Sequence, residues 1–306
     1  MKKIAELFRK VVPANKVTEK ADMSRLVTFR AGGCAEILVE PEDSDQLKKI
    51  LEIIDREKVD FFVMGNGSNL LIKDGGYPGV IVKISGPAFK AIDIESDGVS
   101  VRVGGGVLMG AFAVFLAKNQ LSGFEFAAGI PGTIGGAVFM NAGAYGGEIK
   151  DVLVSAKLLS RDGKREFVLS REGLELTYRH SLLHDTGDIV LEALFKFEKG
   201  NTEEIQAKMN ENNTKRREKQ PLNYPNAGST FKRPDGLIAA KLIQDAGLKG
   251  YHVGDAEVSQ LHSGFVVNKG SASATEILAV MDHCREEVER QFGVVLEPEV
   301  RILGEN

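Results

Sequence analysis

Cysteine is nearly missing from this sequence: Cys34 and Cys284 are the only two among 306 residues, far apart and without Cys-x-x-Cys spacing. That excludes a disulfide framework and a cysteine metal site, and it fits a reducing cytoplasm. Positive charge is not in excess either, with 39 Lys and Arg against 43 Asp and Glu. A general polyanion binder, and with it a nucleic-acid partner, is therefore not expected, although local anion sites stay open. Long apolar runs are lacking as well. A membrane span needs roughly 20 consecutive apolar residues, and the most apolar stretch, 106–117, is short and flanked by glycine. Glu6, Arg9 and Lys10 interrupt the run a signal peptide would require, so the expected location is the cytoplasm. Three catalytic signatures are absent: the G-x-x-x-x-G-K-[ST] phosphate loop, Gly-x-Ser-x-Gly around Ser68, Ser229 or Ser263, and His-Glu-x-x-His. His180 and His184 share one helical face without a third ligand nearby, and no metal is expected.

What is present is ordinary for a folded enzyme, with 43% hydrophobic and 27% charged residues in a chain long enough for two domains. Strand-like runs at 37–39, 61–63 and 80–82 surround a helical stretch at 45–57. Runs 91–94 and 99–103 flank Ser96-Asp97-Gly98 and read as a hairpin. Helical spacing over 107–119 puts Phe112, Phe115 and Leu116 in the core. Strands are expected at 153–159, 166–169 and 189–197. A polar helix over 202–219 stops before Pro221 and suits a connector between domains. Beyond it come a loop at 221–229, a helix over about 237–246, a strand at 264–267, a helix over 275–292 and a final strand at 300–303. The class is α+β.

Three segments carry more glycine than turns need. Gly65-Asn66-Gly67-Ser68-Asn69 follows an apolar run, and its bare backbone amides can approach a diphosphate closely. Residues 127–137 (AAGIPGTIGGA) run on into 141–147 (NAGAYGG), a density of glycine that points to a ligand. Gly104-Gly105-Gly106 with Gly110 superficially matches a dinucleotide-binding fingerprint. No second parallel strand ending in an acidic residue follows at the right distance, so a structural turn and helix start is the reading.

In this order, the segments TFRAGG (28–33), GNGSNLL (65–71), AGIPGTIGGA (128–137), NAGAYG (141–146), YRHS (178–181), PNAGSTFKRP (225–234) and LEPEVRI (296–302) resemble the UDP-N-acetylenolpyruvoylglucosamine reductase family. That family belongs to the flavoprotein superfamily that also contains vanillyl-alcohol oxidase. The resemblance implies a short N-terminal helical segment (1–24), a two-part FAD-binding domain of the vanillyl-alcohol-oxidase type (25–198), and a smaller α+β substrate-binding domain (199–306). It implies the type without an extra substrate-capping loop, since no long insertion follows YRHS. FAD, held noncovalently because His and Cys are absent from the glycine loops, is expected on Gly65, Asn66, Gly67, Ser68, Asn69, Leu70, Gly129, Pro131, Gly132, Thr133, Gly135, Gly136, Asn141 and Gly143. NADPH is the implied electron donor.

The family reduces the vinyl group of an enolpyruvyl sugar nucleotide, which leaves enolate-like charge to be stabilised and then protonated. The resemblance assigns three groups to this. Arg179 matches the catalytic arginine, whose fixed donor fork suits a carboxylate. Glu299 matches the carboxylate that assists enolate formation, and Ser229 the proton donor. Tyr178, Asn226, Lys232 and Arg301 are implied substrate contacts. No membrane or obligate protein partner is expected. Two alternatives stand beside this reading: a flavin oxidase or dehydrogenase of the same superfamily with another substrate, and a non-catalytic nucleotide-binding regulator. The second half of the chain separates the first from the family, and the Arg179, Ser229 and Glu299 set argues against the second.

Overall fold

A computed structural model describes all 306 residues. The chain divides into two compact units that share the sequence between them. The first comprises Met1–Glu19, Ile37–Asn66 and Gly79–Lys215; the second comprises Lys20–Glu36, Gly67–Pro78 and Arg216–Asn306.

In the first unit, the helix Ser44–Glu57 places Leu47, Ile50, Leu51 and Ile54 at i, i+3, i+4 and i+7, all buried. They pack with Ile37, Val39, Val80 and Val82 in one apolar cluster. Asp43 caps this helix by accepting from the Gln46 amide, and Lys58 ends it in a left-handed conformation. Its sheet runs Val17–Asp22, Cys34–Val39, Tyr77–Lys83, Phe61–Met64, and the last two strands are parallel. The expected hairpin is present as Ile92–Ile94 and Ser100–Gly104. Asp97 closes its turn; hydrogen bonds from the Ser100 amide and hydroxyl and the Val99 amide hold its carboxyl down at about 2. That hairpin edges a five-stranded antiparallel sheet with Glu166–Ser170, Leu153–Leu159 and Ile189–Lys196. Under it, Phe112, Phe124 and Phe195 are fully buried and, with Phe197, meet largely edge to face.

The Gly104-Gly105-Gly106 segment is a structural turn. Side chains there would strike the carbonyls of Phe89, Val190 and Ile84, and the helix Met109–Lys118 starts just beyond. Residues 1–24 depart from the helical expectation. They hold the helix Lys2–Phe8, but Val17–Asp22 is a strand beside Cys34–Val39. Main-chain pairing with a strand distant in sequence outweighs weak local propensity there.

In the second unit, a three-stranded antiparallel sheet of His252–Val253, Ala256–Val258 and Val266–Asn268 lies with the helix Ala274–Phe292, which buries Ile277, Val280, Met281, Cys284 and Val288. The C-terminal strand Arg301–Leu303 pairs in parallel with Leu70–Ile72. No helix is long and apolar enough to cross a membrane.

Candidate active site

The glycine loops of the first unit lean on each other. Asn66 donates its side-chain amide to the Pro131 carbonyl at 2.6 Å across 65 positions of sequence. Gly65 lies so close to Thr133 that a side chain there would strike its hydroxyl. Thr133, 5% exposed, caps the helix Ile134–Met140 by accepting from the Gly136 amide at 3.4 Å. The start of the first loop, just past the strand Phe61–Met64, and the second loop, which follows the 3-10 turn Glu125–Ala127, are rich in glycine and lack cationic side chains. In this unit they form one backbone surface, a cradle of the kind a dinucleotide diphosphate needs. The residues present fit FAD in that respect. Some of the expected ligands also have structural work inside the protein. Gly135 gives its amide to the Gly105 carbonyl at 2.8 Å, and its missing side chain lets the two glycine segments approach. Gly143 has to be glycine because Glu148 and the Gly147 carbonyl crowd it.

Arg179 sits at the tip of a tight turn in the same unit. Thr177 and His180 exchange backbone hydrogen bonds at 3.1 and 3.3 Å, leaving Tyr178 and Arg179 as the two central residues. Arg179 has φ +55, a left-handed backbone that a non-glycine residue adopts at a cost when its surroundings hold it there. Its guanidinium donates to the Gly143 carbonyl at 3.3 Å and lies 5.0 Å from the Tyr178 ring centre. Asn141, expected among the flavin ligands, is fully buried and works inside the protein. Its amide nitrogen donates to the Thr177 carbonyl at 2.9 Å and to Glu148 at 3.0 Å, and its oxygen accepts from the Lys150 amide at 3.0 Å. Burial pushes the Glu148 carboxyl up, but Lys150, Asn141 and the Arg179 charge together leave it below its ordinary value.

In the second unit, backbone pairing sets the segments that carry Ser229 and Glu299 side by side. The Glu299 amide donates to the Thr230 carbonyl at 2.8 Å, Phe231 bridges Pro298, and the Lys232 amide donates to the Glu297 carbonyl. Ser229 is exposed and follows Gly228, whose φ of +79 explains the glycine. Thr230 beside it is buried and accepts from the Val266 amide at 3.0 Å. Asn226 shapes this loop, donating to Tyr224 and accepting from the Gly228 amide. Lys232 pairs with Glu297 at 3.3 Å. Arg301 is held below its usual range by burial. The second half of the first glycine loop belongs to this unit too: the Thr28 amide donates to the Gly67 carbonyl, the Arg301 amide to the Asn69 carbonyl, and Asn69 Nδ2 to the Glu299 carbonyl at 3.0 Å. Leu70 is buried at the start of the strand that pairs with Arg301–Leu303. Two residues without an expected role stand out. Thr28 carries a buried hydroxyl with no hydrogen bond inside the protein, and only its place in the TFRAGG segment signals it. Ser181, fully buried, donates to the Phe139 carbonyl at 2.6 Å, and its place at the end of YRHS is the corresponding signal.

Sequence models of two families match this chain: an FAD binding domain over residues 35–167, and the UDP-N-acetylenolpyruvoylglucosamine reductase C-terminal domain over 220–303. The UDP-N-acetylenolpyruvoylglucosamine reductase of Clostridium botulinum (strain Eklund 17B / Type B) is 46% identical over 98% of this chain and 97% of its own length. The crystal structure of the reductase of that name from Thermus caldophilus superposes with a TM-score of 0.80 at 33% identity, covering 94% of this chain and 98% of that one. A glucose dehydrogenase, Phl p 4.0202, shares the fold over 64% of this chain and 44% of its own, with a TM-score of 0.50 at 14% identity.

Proposed function

Because the chain belongs to the UDP-N-acetylenolpyruvoylglucosamine reductase family, we propose that it is an FAD-dependent oxidoreductase that uses NADPH to reduce UDP-N-acetylglucosamine enolpyruvate to UDP-N-acetylmuramate. The fold is α+β, a flavin-binding part of the vanillyl-alcohol-oxidase type followed by a smaller C-terminal domain. The observation that carries the reading is the near-complete span of the likeness, which covers the substrate half as well as the flavin half. A flavin enzyme for some other substrate would not be expected to match the reductase C-terminal domain over 220–303. The product feeds peptidoglycan synthesis, which links the enzyme to cell shape and division, and its place is the cytoplasm.

Residues 25–198 serve FAD and 199–306 the sugar nucleotide in this reading. Bound FAD supplies the hydride, drawn from NADPH, that adds to the terminal vinyl carbon. Arg179 then meets the substrate carboxylate, where its planar fork can satisfy two oxygens as negative charge grows. Glu299 polarises the forming enolate. Ser229 hands over the proton; its hydroxyl is a weak acid, so it acts through position on a loop bent by Gly228. Arg301 and Lys232 provide cations for diphosphate or carboxylate, with Tyr178 beside Arg179 as a further contact. Support for these roles comes from their motif positions and from residue chemistry.

Purified protein should be yellow, release FAD on denaturation, and oxidise NADPH rapidly only when the enolpyruvyl sugar nucleotide is added. Equal oxidation with and without that substrate would sink the assignment.

A further inference from the structure

Residues 139–143 meet the Arg179 turn at three points. The Phe139 carbonyl accepts from Ser181 Oγ at 2.6 Å, Asn141 Nδ2 donates to the Thr177 carbonyl at 2.9 Å, and the Gly143 carbonyl accepts from Arg179 at 3.3 Å. The first two contacts bracket the turn, one before Tyr178 and one after Arg179. Both side chains that make them are fully buried. Asn141 has a single orientation available, because Glu148 takes its other amide hydrogen and the Lys150 amide donates to its oxygen. Arg179 needs such support, since its φ of +55 is not a conformation the residue holds unaided.

We propose that Asn141 and Ser181 are positioning residues for Arg179, clamping the 177–180 turn so that the guanidinium is presented in one orientation. The inference rests on the reading of Arg179 as the partner of the substrate carboxylate. Asn141 thereby serves the turn instead of the flavin. Without the clamp the turn relaxes toward ordinary backbone angles, and the guanidinium shifts from its place. A misplacement of about 1 Å costs on the order of a hundredfold in rate.

The test uses the full-length, FAD-loaded enzyme with Asn141→Gly, Ser181→Ala and Arg179→Ala, singly and with each clamp change combined with the arginine change. Glycine is the clean replacement at Asn141, because its φ of +41 suits glycine and only the side chain is lost. Should Asn141→Gly fail to fold, Ser181→Ala carries the test by itself. Stopped-flow absorbance is expected to show FAD retained, normal reduction by NADPH, and reoxidation by the enolpyruvyl substrate slowed roughly tenfold to a hundredfold in each single clamp variant. In the Arg179→Ala background neither clamp change should slow reoxidation further, since both act through that side chain. Limited trypsin digestion, which reads the turn without substrate, should cut after Arg179 faster in both variants. Unchanged reoxidation, an undiminished further slowing in the Arg179→Ala background, unchanged trypsin cleavage, or loss of FAD in place of a selective lag overturns the clamp. Normal reoxidation by Arg179→Ala alone overturns the reading of Arg179 itself, a separate failure.

Discussion

Ser229 is exposed, follows a left-handed glycine, and adjoins a threonine locked to the neighbouring backbone. Its assigned task starts only after hydride has left the flavin. Ser229→Ala should therefore keep FAD and be reduced by NADPH at the normal rate, while reoxidation by the enolpyruvyl substrate slows at least roughly a hundredfold. Stopped-flow traces of both half-reactions decide it; equal slowing of the two, or of neither, removes Ser229 as the proton donor. At this scale the glycines were the readable residues, because a position that forbids a side chain leaves its mark in the sequence. Gly65 beside Thr133 and Gly67 beside Leu26 are of that kind. Asn141 was readable as part of a motif but not as to its partners. Its contact at Thr177 depends on a turn 36 positions away that nothing in local spacing encodes.

The longest helix of the second unit, Ala274–Phe292, starts with a reciprocal cap between Ser273 and Glu276. A second acceptor comes from far off in the chain: Asp74 accepts from the amides of Ala274 and Thr275 at 2.8 Å and from the Thr275 hydroxyl at 2.6 Å. Burial pushes the Asp74 carboxyl up, but the Thr275 and Ala274 hydrogen bonds prevail and leave it below 3.8. A carboxyl depressed by folding stabilises the native state above its unfolded value and loses that contribution as pH falls through the lower folded value. Asp74→Ala should cost on the order of 1 kcal/mol at pH 7, the usual worth of a helix cap, and the gap to wild type should narrow as pH drops below about 3.8. Urea unfolding at pH 7 and pH 3 measures both, and a variant as stable as wild type at pH 7 would discount the cap. Elements with strong local patterns were legible: the strand Leu153–Leu159 and the helix Thr202–Lys219 match their expected limits. The strand Val17–Asp22 was not, since its hydrogen bonds come from a partner strand that its own residues do not reveal.

The division of the whole chain was the least legible feature. The family resemblance implies a boundary near residue 199 and the polar helix 202–219 suits a connector, yet the second compact unit also takes Lys20–Glu36 and Gly67–Pro78 from the first half. Leu70–Ile72 is the strand beside Arg301–Leu303, and Asn268 donates to the Phe29 carbonyl at 3.1 Å. A fragment of residues 199–306 should consequently lack a cooperative unfolding transition, because it leaves a terminal strand and a buried amide without partners. Far-UV circular dichroism during urea titration is the measurement; a sharp two-state transition of the fragment would show that the early segments are dispensable.

The pairing of Leu70–Ile72 with the last strand also sets a schedule during synthesis. Asn69 reaches the peptide group of Glu299, 230 positions later. At ribosomal speeds of roughly 5 to 20 residues per second, the first glycine loop is in the open for on the order of ten to fifty seconds before its supporting strand exists. Newly made chains thus complete the Gly67–Leu70 loop only once residues 299–303 have been made, which makes its assembly a late step of folding instead of an early one.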